Sequence, residues 1–279
     1  MFILRLFCDD QPSIVARVAG ALADTGCNIE ESNQFHDHLS GQFFWRCVFS
    51  APSDHAATHF KERFTPIADA LGMQWSITPL DQPVKALILL SKEDHCLNDL
   101  MYRWRTKALN IDITAIASNH DTAREFVESR GLPFHHLPIT PDTKAQQENQ
   151  IRTLIDETGA ELIVMARYMQ ILTDGFCKDY QGRVINIHHS FLPGFKGAKP
   201  YHQAYERGVK IIGATAHFAT ADLDEGPIIS QDIMPIDHSY DPKKLQAAGR
   251  DNEARTLARA VKLYSERRIF LHNGRTVIL

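Results

Sequence analysis

Cysteine is sparse and follows no pairing pattern. Cys8, Cys27, Cys47, Cys96 and Cys177 are odd in number and far apart, and no Cys-x-x-Cys pair occurs. That excludes a disulfide framework or a zinc ribbon as the organising element. Blocks of Lys and Arg are also missing. With 30 basic against 34 acidic side chains the formal charge is -4, so the electrostatic footprint of a nucleic-acid binder is absent. No apolar run approaches the ~20 residues of a membrane span. The apolar start, residues 1–8, is broken by Arg5 and followed by Asp9-Asp10, too short for a secretion signal. We therefore expect a cytoplasmic protein with neither nucleic acid nor membrane as partner. Fourteen histidines are present, yet none form His-Glu-x-x-His, and the adjacent pairs His135-His136 and His188-His189 should point to opposite faces of an extended chain. No metal is expected.

What is present is a chain of 279 residues, 44% hydrophobic, long enough for two globular domains. The run Thr78-Pro79-Leu80-Asp81-Gln82-Pro83 reads as a linker, which gives domains of 1–80 and 84–279. In the first, an apolar strand over 2–8 precedes a helix with Ile14, Val15, Val18 and Leu22 on one face, stopped at Gly26. A strand over 29–36, a turn at Ser40-Gly41 and a strand with Phe43, Trp45, Cys47 and Phe49 alternating come next. A helix over 56–71 and a strand over 73–77 complete a βαββαβ unit, the ferredoxin-like α+β order. After the linker, strands over 84–90, 111–117, 162–166, 184–187, 211–218 and 228–234 alternate with amphipathic helices, implying a Rossmann-like, mainly parallel α/β sheet covered on both faces. The tail, 269–279, centres on Asn273-Gly274 and reads as a β-hairpin.

Two clusters carry chemistry, both at strand ends, where such sheets bind ligands. In the first, Asn186 and His188 are two apart, so their side chains share one side of the strand. A carboxamide can hold a developing oxyanion and an imidazole can move a proton near neutral pH, which suits attack on a carbonyl. Alone, so short a pattern favours the plainer reading, two polar strand-end residues satisfying loop backbone. The second cluster, residues 217–229, is rich in carboxylates, and Asp224 is either a turn former or a partner for an imidazole or a water. Cys96 is a candidate nucleophile, although a buried structural thiol is the commoner role at a strand-to-helix turn. His217 is either a support for the site or a strand-end core residue.

Residues 1–80, including Ile14-Val15-Ala16 and Gly26-Cys27-Asn28-Ile29, resemble ACT domains, with Ser13 where those commonly carry glycine. Residues 84–279 resemble the folate-dependent formyltransferases through Asn186-x-His188-x-Ser190-x-Leu192-Pro193-x-Phe195-Lys196-Gly197, then His217-Phe218 and Asp224-x-Gly226-Pro227-Ile228-Ile229. The resemblance implies catalytic roles for Asn186, His188 and Asp224, with Asp224 either pairing with His188 or activating water. It implies a folate pocket along Met169, Gln170, Ile171 and Leu172 with Thr220 and Asp222, supported by His217 and His95. Family members that formylate glycinamide ribonucleotide carry a glycine-rich turn after their first strand, which cradles a phosphate. Here Ser91-Lys92-Glu93-Asp94-His95-Cys96-Leu97-Asn98-Asp99-Leu100 has no glycine, and Glu93 and Asp94 would repel one. With the ACT-like domain, that run resembles the family's deformylase branch. The implied activity is hydrolysis of 10-formyltetrahydrofolate to formate and tetrahydrofolate, without a cofactor, supplying one-carbon and purine metabolism. Formyl transfer to an amine is the alternative. ACT domains commonly pair, and Phe43, Phe44, Trp45, Val48 and Phe49 offer more apolar surface than one small domain covers. A homo-oligomer through residues 1–80 is therefore expected, with amino-acid control and assembly alone both open.

Overall fold

The computed structural model describes residues 1–194 and 200–279, with Pro200 described for its backbone only. Phe195, Lys196 and Gly197 of the expected motif lie outside the described residues. By internal contacts the chain divides into two units: Met1–Gln82 with Glu266–Phe270 and Val277–Leu279, and Pro83–Ser265 with Leu271–Thr276. Part of the tail that the sequence assigns to the second domain thus packs with the first.

The first unit follows the expected βαββαβ order: β1 (Phe2–Asp9), α1 (Ile14–Asp24), β2 (Asn28–Asp37), β3 (Gln42–Ser50), α2 (Asp54–Ala70) and β4 (Gln74–Pro79). Its sheet runs β2-β3-β1-β4, antiparallel throughout. Alternation sends Phe43, Trp45, Cys47 and Phe49 of β3 into a core with Val18 and Leu22 of α1 and Phe60 and Phe64 of α2. Ser53 caps α2, its hydroxyl accepting from the Ala56 N–H at 3.2 Å. Ser13 adopts the left-handed conformation, φ 74°. The serine keeps the backbone shape that a glycine would supply without steric cost. Val15, expected on the buried face of α1, is 39% exposed; the buried set is Ile14, Val18, Ala21 and Leu22.

The opposite face of this sheet corrects the expected uncovered patch. Phe43, Phe44, Trp45, Val48 and Phe49 are all buried within the single chain. Phe44 meets Phe7 and, from the tail, Phe270, with ring centroids 5.9 and 5.6 Å apart, and Arg5 stacks on Phe270 at 4.5 Å. Beside them buried Arg46 pairs with Glu31 at 3.1 Å and donates to the Glu266 carbonyl at 3.0 Å. The tail strands β12 (Ile269–His272) and β13 (Arg275–Ile278) form the expected hairpin. Asn273 and Gly274 have φ 48° and 72°, the positive angles of a type I′ turn.

The second unit contains β5 (Val84–Leu90), α3 (His95–Arg105), β6 (Ile111–Ser118), α4 (Arg124–Glu128), β7 (Phe134–His136), α5 (Lys144–Thr158), β8 (Leu162–Met165), α6 (Asp174–Asp179), β9 (Val184–His188), α7 (Pro200–Glu206), β10 (Ile211–Phe218), β11 (Ile228–Pro235) and α8 (Pro242–Ser265). The sheet order is β11-β10-β9-β8-β5-β6-β7. Strands β5 to β9 are parallel, while β10 is antiparallel to both β9 and β11. Chain order runs outward in both directions from β5 and β8, which makes their carboxyl ends the topological switch point. The three-residue β7 and the short α4, α6 and α7 were not legible, nor was α8, whose buried face carries Gly249, Asn252, Glu253 and Thr256 among its apolar residues and so shows no clean apolar period. No helix among the described residues is long and apolar enough to cross a membrane.

Because Phe270 closes the aromatic cluster of the first unit, Phe270→Ala should cost about 3–5 kcal/mol. Urea unfolding followed by tryptophan fluorescence measures it. A loss below about 1 kcal/mol would show that the tail does not cover that face.

Candidate active site

The antiparallel register of β9 and β10 sets Asn186 directly opposite His217 and His188 opposite Thr215. Period-two alternation then brings Asn186 and His188 to one cavity wall. The loop after β10 folds back on the strand it leaves: Phe218 N–H donates to the Pro227 carbonyl at 2.9 Å, and Ala219 N–H to Val184 at 2.9 Å. Gly226 allows this, because a β-carbon there would lie 1.7 Å from the Phe218 oxygen. Asp224, itself left-handed at φ 60°, is carried onto the histidines. Its Oδ1 is 3.1 Å from His188 Nδ1 and 3.8 Å from His217 Nε2.

Hydrogen-bond bookkeeping assigns the ring nitrogens. His217 Nδ1 lies 2.9 Å from the Phe218 carbonyl, which can only accept, so Nδ1 carries the proton. In the neutral ring Nε2 is then an acceptor, and Asn186 Nδ2 donates to it at 3.3 Å. This fixes the Asn186 amide with its second N–H left for a ligand oxygen. Burial lowers the His217 pKa from its ordinary value, against the opposing pull of the Phe218 carbonyl and Asp224. For His188 the contact with Asp224 places a proton on Nδ1, and Nε2 is buried with no hydrogen-bond partner among the described residues. Burial alone would raise Asp224, but the bond from His188 and the surrounding imidazoles outweigh it and hold the carboxyl below the ordinary range. A carboxylate-oriented imidazole with one free nitrogen is equipped for proton transfer.

These groups line a cavity of about 590 Å³. Its other wall is the loop after β8, with Arg167, Tyr168, Met169, Gln170, Ile171 and Leu172, and Thr220 and Leu223 close it. Met169, Ile171 and Leu223 are more than half exposed, an apolar rim suited to a flat aromatic ligand. Buried residues of α5 hold the loop: Tyr168 Oη donates to Gln147 at 2.7 Å, and Glu148 accepts from the Thr173 N–H at 2.7 Å. Met169 N–H donates to Ser91 Oγ at 3.0 Å.

Of the expected site residues, Asn186, His188, Asp224, His217, Met169, Gln170, Ile171, Leu172 and Thr220 line this cavity. Asp222 does not. It is exposed, and its carbonyl accepts from Thr220 Oγ1 at 3.0 Å, shaping the loop. His95 is also outside the lining. Its Nε2 binds Glu253 at 2.9 Å, a buried carboxylate that accepts from Tyr201 Oη at 2.6 Å and lies 3.3 Å from Arg167 Nε. His189, expected to face away from His188, also lines the cavity, because β9 ends at His188 and strand alternation ends with it. His189 and Tyr201 were not singled out as site residues in the sequence, nor was Glu253 behind them.

His95, Cys96 and Glu253 bring three metal-capable atoms within 4.8 Å of one another. The cluster does not fit a cation: Glu253 is already bound to His95 and Tyr201, and the Arg167 guanidinium lies against it. Cys96 is fully buried, and burial with the Glu253 charge pushes its thiol well above the ordinary value. It is a structural thiol, not a nucleophile.

The geometry agrees with comparisons to known proteins. Residues 84–261 match the family described as formyl transferase, and the chain belongs to that family, within which it groups with the formyltetrahydrofolate deformylases. It is 46% identical to the formyltetrahydrofolate deformylase of Corynebacterium sp. (strain P-1), over 99% of this chain and 97% of that one. To the Bacillus subtilis (strain 168) formyltetrahydrofolate deformylase it is 44% identical, over 99% and 92%. The crystal structure of formyltetrahydrofolate deformylase from Burkholderia mallei superposes with a TM-score of 0.95 at 52% identity, covering 100% of this chain and 99% of that one.

Burial beside the Arg167 cation pushes the His189 imidazole down to about 4 from 6.5. A depressed histidine costs nothing above its unfolded pKa. As pH falls below 6.5 the unfolded chain takes up a proton that the folded one refuses until about pH 4. Stability should therefore decline through that window by up to roughly 3 kcal/mol from His189. Urea midpoints measured from pH 7 to pH 4.5 should fall, and His189→Asn should flatten the decline. An unchanged slope in the variant would mean that His189 is not held neutral.

Proposed function

We infer that the protein hydrolyses 10-formyltetrahydrofolate to tetrahydrofolate and formate. The observation that carries this is the buried, unpartnered His188 Nε2, set by Asp224 beside the Asn186 amide on the wall of an apolar cavity. Water attacks the formyl carbon, and the second N–H of Asn186 holds the oxyanion as it forms. His188 Nε2 takes the proton that the attacking water gives up and passes it to the folate nitrogen, whose bond to the formyl carbon breaks with its electron pair going to that nitrogen. Asp224 orients His188 and stabilises the imidazolium that the transfer forms, the role its 3.1 Å contact favours over direct activation of water. The pteridine lies along Met169, Gln170, Ile171, Leu172 and Thr220. No cofactor takes part, and the formate released is available to one-carbon and purine metabolism in the cytoplasm. On this reading 84–279 is the catalytic domain. Residues 1–80 form an ACT-type domain for assembly or regulation, whose outer strands β2 and β4 are the edges through which copies would pair.

Formate should appear from pure protein, 10-formyltetrahydrofolate and water alone, and prolonged chelation should not reduce the rate. Strict dependence on an added amine would move the activity to transfer. Asn186→Ala should lose about 10²–10³ in turnover while still binding folate. Losses in His188→Ala and Asp224→Asn should be comparable and non-additive, as for groups acting as a unit. Near-normal turnover in any of the three variants would refute these roles. Light scattering should give the mass of a closed homo-oligomer, dimer above all; a monomer across the micromolar range would refute assembly.

A further inference from the structure

The switch point between β5 and β8 is where a sheet of this topology offers its deepest ligand crevice. Here groups of the protein itself bond to one another at it. Ser91, at the end of β5, donates its hydroxyl to Asn119 Oδ1 at 2.7 Å and accepts from Met169 N–H at 3.0 Å. Its backbone N–H donates to the Arg167 carbonyl at 3.2 Å. His95, in the first turn of α3, is bound to Glu253 at 2.9 Å. Ser91 and His95, polar groups of the turn that could have held an acceptor molecule, are thus committed to internal bonds.

Glu253 is the centre of this packing. It is 1% exposed and is reached from three elements: His95 of α3, Arg167 after β8 and Tyr201 of α7. A buried carboxylate is tolerable only when so paired, and breaking one partnership is costly. Tyr201 and Arg167 look the other way into the main cavity, where Tyr201 stands 6.2 Å from His189, itself 5.1 Å from His188, between ring centroids. Tyr201 and His189 also line a second, apolar cavity of about 200 Å³, so these two rings separate the spaces.

Helix α8 shows that the position of Tyr201 is built in. A β-carbon on Gly249 would lie 1.9 Å from the Tyr201 hydroxyl oxygen and 2.3 Å from its ring carbon. Glycine inside a helix is unfavourable, and its φ here is not among the positive ones. Room for the phenol is the reason for it.

Resting on the hydrolytic reading above, we propose that Tyr201, held on Glu253 by His95, Arg167 and the gap at Gly249, is the specificity-determining wall that keeps amines from the formyl carbon and leaves room only for water. Exclusion by filling a pocket is the repulsive half of specificity. With the wall displaced, a primary amine can reach the same carbon. Its nitrogen lone pair forms the new C–N bond, the bond to the folate nitrogen breaks with its electron pair going to that nitrogen, and the proton lost by the amine passes through His188 to it.

The test uses the full chain, 10-formyltetrahydrofolate and excess glycinamide, a small amine without phosphate. Formate and N-formylglycinamide are quantified together, so the partition between them is read independently of total rate. The unsubstituted protein should give formate. Tyr201→Ala should raise the N-formylglycinamide fraction about tenfold or more, the scale by which filled and open pockets discriminate. Gly249→Ala gives the same change by pushing the phenol aside, and alanine is the better helix former, which protects folding. Tyr201→Phe keeps the ring and should retain most of the exclusion. If both alanine variants, folded by circular dichroism, yield formate alone at a reduced rate, the wall is merely structural and the proposal is wrong. Absence of formate from the unsubstituted protein would overturn the hydrolytic reading, a result distinct from an unchanged partition.

Discussion

A β-carbon at Gly226 would meet the Phe218 carbonyl oxygen at 1.7 Å, and that close approach lets the loop after β10 fold back over its own strand. Without it, Asp224 would stay with the solvent-exposed turn. With it, the carboxylate reaches His188 Nδ1 at 3.1 Å and stands 3.8 Å from His217 Nε2. The remaining site geometry follows from the β9–β10 register, which sets Asn186 against His217. One steric constraint and one strand register thus place an amide, a carboxylate and two imidazoles together. The left-handed Asp224 and Arg167, φ 60° and 65°, are the strain this arrangement stores, of order 1–3 kcal/mol each.

Three histidines within this small volume do different work because their surroundings differ. His188 has a carboxylate on one nitrogen and the cavity on the other. His217 donates to the Phe218 carbonyl and accepts from Asn186, so it fixes an amide. His189 is kept neutral by burial and by Arg167. Glu253 shows the same logic for a carboxylate: burial raises it, yet His95, Arg167 and Tyr201 bring it below its ordinary value. A residue type names a capability, and the partners decide which capability is used.

The elements with strong periodicity were legible in the sequence. The apolar run at Val84–Leu90, the alternation along β3 and the Asn273-Gly274 turn all lie where pattern and turn chemistry put them. Asn186 and His188 were legible through strand period, and Asp224 through resemblance alone, since nothing local says that a loop folds back. What failed to read was long-range. Phe44 looked surplus until Phe270 covered it from more than two hundred residues away. Helix α8 hides because its inner face carries Glu253, Asn252 and Thr256, polar groups whose partners lie on other elements. Asp222 lies outside the cavity lining, and motif spacing does not show which side of a turn faces inward.

The mechanism depends most directly on which nitrogen His188 presents to the substrate. Nitrogen-15 NMR of histidine-labelled protein, at a pH where the ring is neutral, reports the tautomer, and comparison with Asp224→Asn assigns the resonance. We expect the His188 proton on Nδ1, shifted downfield by its bond to Asp224, with Nε2 bare toward the cavity. A neutral His188 carrying its proton on Nε2, unaffected by replacement of Asp224, would contradict the arrangement from which the chemistry was derived.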